Sequence, residues 1–209
     1  MKLFDYFRST AVYRVRIVLA LKEIPYETVP IHLINGGGEQ YGVDYTEKNP
    51  QSLVPTLETE SGYLSQSLAI IEYLEDLYPH PPILPKDPFG KAKVRSLAHL
   101  IACDMHPLNN LRVLQYLQHE LQVSELQKTT WYHHWLRLGF DAFEKHVSSI
   151  TRSPHFCYGD AITLADVCLI PQIYNAERFE FSMVPYPRIS AIHAYCMTLP
   201  AFKKAQPRG

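Results

Sequence analysis

Apolar positions follow two regimes along the chain, which change over near residue 80. In the first, short runs alternate with helical spacing. "KLFDY" reads as a strand, Tyr13 to Lys22 as a helix with Val15, Val18 and Leu19 on one face, and "YETVPIHL" as a second strand. A glycine-rich loop, "NGGGEQYG", follows. Two further runs, "VPTLET" and "GYLSQ", flank Ser61-Gly62 and predict a hairpin, and a helix is expected from about Ser67 to Tyr78. That order, βαβ and then ββα, fits a small mixed sheet with helices packed on it. "YPHPPILPKDPFG", with five prolines, interrupts every regular pattern and reads as a linker. Beyond it strand signals largely vanish. Residues 88–121 and 124–150 carry helical periodicity, and "TLADV" has capping-box spacing at Thr163 and Asp166. A last helix is expected from Pro187 to Leu199. The predicted architecture is an α+β N-terminal domain over residues 1–80, a linker over 81–87 and an all-α C-terminal domain over 88–209.

Composition changes this picture little. With 46% hydrophobic and 20% charged residues, the 209-residue chain is ordinary for a globular protein. A formal net charge of −1 leaves no footprint for nucleic acid or an anionic membrane, so anion recognition has to be local. "MKLFDYFRS" is broken by Asp5 and Arg8 before an apolar core forms, and no signal peptide is expected. "IVLAL" is too short to span a bilayer. Cys103, Cys157, Cys168 and Cys196 are widely spaced without a C-x-x-C pair, which predicts reduced core thiols in a cytoplasmic protein. His133 and His134 are adjacent and point to different helix faces, and no metal site is expected.

Candidate chemistry concentrates in "YFRSTAVYRVRIVLALK". Ser9 and Thr10 are good N-cap residues, yet Arg8, Arg14 and Arg16 crowd a helix start that prefers negative charge. A dissociable anion would resolve that conflict. Arg16 is placed on the helix flank, in solvent. In "SLVPTL", Pro55 after Val54 marks either an edge strand or a cis bond that turns the Val54 main chain outward, ready to pair with an extended peptide. In "SQSLAIIEYLE", Gln66 and Ser67 stand at a helix N-terminus that favours a carboxylate. A peptide-pairing backbone beside a carboxylate site, on a small thioredoxin-like sheet, suits glutathione.

In order and spacing, "YFRST…RVRIVLALK", "GGGEQY", "NPQSLVPTL", "QSLAIIEYLE", "HPLNNLRVL", "GDAITLADVCLIPQIYNAERF" and "PYPRI" resemble the zeta class of glutathione transferases, the maleylacetoacetate isomerases. The resemblance runs over essentially the whole chain. It implies a glutathione transferase fold, with Ser9 in the position of the catalytic serine that favours the thiolate of glutathione, and Thr10 as a second hydroxyl. Gln40, Val54, Gln66 and Ser67 match glutathione contacts, Val54 through its main chain. His106 and Asn110, with Arg112, fall on the second-domain segment that closes over the site. Arg14, with Arg8, Arg112 and Arg178, would meet substrate carboxylates. One departure stands out: the class motif Ser-Ser-Cys-x-x-Arg reads "STAVYR" here, with Ala11 at the cysteine. The maleylpyruvate isomerases also lack that cysteine and share the "HPLNN"-like segment. The implied reaction is glutathione-dependent cis–trans isomerisation of a maleyl keto-acid, with conjugation or dehalogenation of α-haloacids as alternatives. A symmetric homodimer is expected, the first domain of one subunit on the helices of residues 88–150 of the other.

Overall fold

The computed structural model describes residues 1–150 and 154–207. It divides into two compact units, one of residues 1–82 together with the chain from Thr198 on, the other of residues 83–197.

The first unit is built on a four-stranded mixed sheet. β1 (Lys2–Asp5) runs parallel to β2 (Glu27–Pro30) and antiparallel to β3 (Thr56–Thr59), which pairs with β4 (Gly62–Ser65). Leu3 registers against Thr28 on one side and Leu57 on the other. The hairpin closes at Thr59↔Gly62, so its loop is Glu60-Ser61, one residue earlier than the sequence indicates. The parallel β1–β2 connection requires a crossover, which α1 (Thr10–Leu21) supplies. α1 starts three residues before the expected Tyr13, because Ser9 takes the cap position. Its apolar stripe of Val12, Val15, Val18 and Leu19 is fully buried, as are Ile70, Ile71 and Leu74 of α3 (Ser67–Leu77). The glycine-rich segment is less irregular than a plain loop: 3-10 turns at Asn35–Gly37 and Glu39–Tyr41 lead into a short α2 (Val43–Thr46). Gly38 is required there, with φ +103° and the Gln40 side chain 2.6 Å from where a Cβ would lie.

The second unit is helical: α4 (Pro88–His99), α5 (Leu111–His119), α6 (Glu125–Ile150), α7 (Leu164–Arg178) and α8 (Pro187–Cys196). α8 stops three residues short of the expected Leu199. α7 is buried along nearly its whole length and packs on α4 and α8. A π-helical stretch, Leu100–Met105, follows α4 and lies against α6. Gly139 permits that approach, since a Cβ there would come within 2.2 Å of Met105 Cγ. No helix among the described residues is long and apolar enough to cross a membrane.

The expected boundaries need one correction. α9 (Pro200–Ala205) belongs with the first unit and not with the helical one, because its buried Phe202 and Ala205 pack on α1. The cysteines need another: none of the four is in a disulfide and Cys157, Cys168 and Cys196 are buried, but Cys103 is exposed.

Candidate active site

Ser9 sits between β1 and α1, half-buried. Its main-chain N–H closes a turn on the Tyr6 carbonyl at 2.8 Å, and its Oγ accepts from Val12 N at 3.3 Å. The cap bond uses an acceptor lone pair of the hydroxyl and leaves its O–H free in direction. A donor hydroxyl therefore stands at the positive end of a twelve-residue helix. Thr10, by contrast, is only 3% exposed, inside the first turn. Ala11 follows it on the same helix.

The start of α3 forms the second feature. Ser67 is its first residue and is buried, and no side chain caps this end. Gln66 precedes it at φ +70°, a strained conformation for a residue with a Cβ. Its exposed side chain donates to Gln51 Oε1 at 2.7 Å. Arg14 of α1 donates to Ser67 Oγ at 3.3 Å and is only 2% exposed. Arg14, expected to meet a substrate carboxylate, lies against Ser67, whose Oγ accepts from it, so the serine O–H is directed away from the guanidinium. Uncapped N–H groups, a serine hydroxyl and a guanidinium at their back suit a carboxylate.

The third feature is the segment before β3. The Val54–Pro55 bond is cis. Pro55 precedes β3, an inner strand, so the proline removes no ladder donor and the edge-strand reading falls. Tyr45 Oη and Asn49 Nδ2 both donate to the Leu53 carbonyl, at 2.6 and 2.7 Å, and both meet Thr56 Oγ1, at 2.9 and 3.1 Å. This buried network fixes the backbone at Val54. Burial raises the Tyr45 phenol above its ordinary value, against the pull of its bonds to Thr56 and Asn49, and keeps it a neutral donor. Gln40 is buried, and its Nε2 donates to the Leu33 carbonyl at 3.3 Å.

Arg16 is where the sequence misled. It is not in solvent: its guanidinium donates to both Asp5 carboxylate oxygens at 3.2 and 3.0 Å and to the Phe7 carbonyl at 3.0 Å. Burial raises the Asp5 carboxyl above its usual range, and the Arg16 charge and hydrogen bond draw it back. Arg8 remains exposed, over the Phe7 ring.

In the helical unit, His106 is half-buried after the π-helical stretch. Asn110 N-caps α5, its Oδ1 accepting from Arg112 N at 3.1 Å, and the cap does not use its Nδ2 donors. Arg112 is exposed, and so is Arg178, which lies in the last turn of α7 over the rings of Tyr174 and Phe179. Sequence reasoning missed Tyr132, which joins these segments. Its carbonyl accepts from Asn109 Nδ2 at 3.2 Å, and its buried ring stacks on Phe179 at 3.9 Å. Burial raises its phenol, opposed by the Arg178 charge. The signal available for Asn49 and Tyr45 was a polar residue and an aromatic at short spacing before a proline turn; for Tyr132 there was none beyond helical periodicity.

The glutathione S-transferase N-terminal domain family model matches residues 3–82. A probable maleylacetoacetate isomerase of Vibrio cholerae is 44% identical over 205 residues, 98% of this chain and 94% of the relative. The chain belongs to the zeta class of glutathione transferases. A holo structure of a zeta-class maleylpyruvate isomerase is 42% identical, with 99% and 97% of the two chains covered and a TM-score of 0.95. The maleylacetoacetate isomerase of Methylobacterium extorquens, solved with malonate and glutathione bound, is 36% identical, with 99% and 96% covered and a TM-score of 0.94. As a zeta-class chain, this one presents its Ser9 hydroxyl and α3 N-terminus within the unit that the family model matches.

Proposed function

We propose that this protein is a glutathione-dependent cis–trans isomerase that converts maleylacetoacetate to fumarylacetoacetate, in aromatic amino acid (tyrosine) catabolism. The observation that carries the reading is the half-buried Ser9 hydroxyl, its O–H uncommitted by its cap bond, at the N-terminus of α1. Bound glutathione supplies a thiolate that adds to the cis double bond, frees it to rotate and departs unconsumed.

The chain's own residues do the rest. Ser9 donates to the sulfur and favours its ionised form. Thr10 supports the first turn. Ser67, Gln66 and the α3 N-terminus hold the γ-glutamyl carboxylate, with Arg14 behind them. Val54 pairs through its main chain, Gln40 completes the peptide contacts, and the family resemblance assigns His106 and Asn110 to glutathione as well. Arg8, Arg112 and Arg178, all exposed, are the residues that the family resemblance assigns to the carboxylates of a dianionic keto-acid. Because the nucleophile is a dissociable thiolate, Ala11 in place of a cysteine does not remove it. The similarity to a maleylpyruvate isomerase favours maleylpyruvate as a second substrate.

Four cysteines outside any disulfide suit the cytoplasm. The functional unit is a homodimer, neither nucleic acid nor a membrane being a partner.

The deciding assay follows cis–trans conversion of maleylacetoacetate and maleylpyruvate with and without glutathione, with α-haloacids alongside. Isomerisation that requires glutathione and leaves it unconsumed is expected. Turnover of haloacids alone, or isomerisation unaffected by glutathione, would overturn the reading.

A further inference from the structure

We propose that Arg16 is a positioning residue for the Ser9 hydroxyl, which it holds in place through the Phe7 carbonyl. The inference rests on the functional reading above. Only Tyr6, Phe7, Arg8 and Ser9 lie between the end of β1 at Asp5 and the start of α1 at Thr10. Two bonds control that turn. Ser9 N donates to the Tyr6 carbonyl at 2.8 Å, and Arg16 Nη2 donates to the Phe7 carbonyl at 3.0 Å. The same guanidinium reaches both oxygens of Asp5 through Nη1 and lies over the Tyr13 ring at 5.7 Å. One side chain thus ties the end of the strand, the middle of the turn and the second turn of the helix.

Ser9's own cap bond is long, 3.3 Å to Val12 N, so the cap alone does not lock the Oγ. The turn that Arg16 clamps sets where that oxygen stands. The ion pair with Asp5 is largely buried, with side chains 11% and 6% exposed, and its two charges offset one another. Arg16 therefore acts on the sulfur site through geometry and not through a net field. A buried ion pair is weak evidence of stabilisation in its own right, whereas a planar, multi-donor clamp is what a lysine cannot reproduce. Misplacing a catalytic group by a fraction of an ångström to an ångström lowers rates by up to about a hundredfold.

The test compares wild type, Arg16→Lys, which keeps the charge beside Asp5 but not the bond to Phe7, and the double variant Asp5→Asn with Arg16→Gln, which leaves no buried charge and is the fallback if the first does not fold. Three quantities are read: turnover at pH 7, the thiolate absorbance titration of bound glutathione, and thermal stability. Both variants are expected to lose about tenfold in turnover. Their bound-thiol titration should move toward the ~8.5 of a free thiol, with glutathione KM within about twofold. A merely structural role would lower Tm and leave the titration of the folded protein unmoved. That outcome, or wild-type turnover in either variant, overturns the proposal. If wild type itself gives neither glutathione-dependent turnover nor a thiolate signal, the functional reading fails first, and this proposal with it.

Discussion

Ser9 is asked for more free energy than any other single residue of the site. A free thiol titrates near ~8.5, and bringing it to roughly 6.5 stabilises the anion by about 2.7 kcal/mol. The α1 N-terminus supplies about 0.3–1 kcal/mol. One hydroxyl–thiolate hydrogen bond, about 1.5–3 kcal/mol, closes the difference. Ser9→Ala is therefore expected to lower turnover at pH 7 by roughly tenfold to a hundredfold, and raising the pH toward ~9 should restore part of the loss. Thr10→Ala, at a site 3% exposed, should act on stability and cost clearly less turnover. The pH profile of turnover decides, and a crippled Thr10→Ala with a normal Ser9→Ala would reverse the assignment. The sequence made Ser9 legible because a hydroxyl before an apolar-periodic run is a local signal. The three arginines were legible only as an excess of charge. Their sorting into an exposed Arg8, an Arg14 against Ser67 and an Arg16 against Asp5 depends on partners 53 and 11 positions away, which no local pattern reports.

At the scale of elements, the start of α7 shows how a legible motif becomes a stability device. Asp166 is fully buried and accepts from Cys157 N, Thr163 N and Thr163 Oγ1, each at 2.8 Å. Burial raises its carboxyl and these bonds oppose the rise. Asp166→Ala orphans two buried backbone donors at about 1–3 kcal/mol each. At about 2–4 °C per kcal/mol for a chain of this size, a loss of about 3 kcal/mol lowers Tm by roughly 6–12 °C. A calorimetric Tm within 2 °C of wild type, on that same scale, would refute it. On α8, burial lowers the His193 pKa, against the pull of Glu177. The unfolded chain then binds a proton near ~6.5 that the folded chain resists, so stability is lost as pH falls through that range and is fully present above it. His193→Asn should flatten the dependence of the urea midpoint between about pH 5 and 7. An unchanged slope would remove His193 as its source. The capping spacing at Thr163 was visible in sequence, but the third bond, from Cys157, was not, because it comes from a loop with no periodicity.

For the whole molecule, the break near residue 80 was legible because the five-proline segment ends one hydrophobic period and a purely helical one replaces it. The return of α9 to the first unit was not, since Phe202 fits a helical core of either unit equally well in sequence. The same ambiguity attends the expected homodimer, for an apolar helix face can serve an internal core or a partner. Leu100, Cys103, Leu108, Trp135, Leu138 and Ala142 line an open groove of about 550 Å³, with Leu138 51% exposed. We propose that a second copy of the chain covers this groove. Sedimentation at micromolar concentration is expected to give twice the 24.1 kDa chain mass. Leu138→Glu, which places a charge in that interface, is expected to shift the protein toward monomer. A monomeric wild type would remove the dimer, and a Leu138→Glu protein that stays dimeric would move the interface away from this groove.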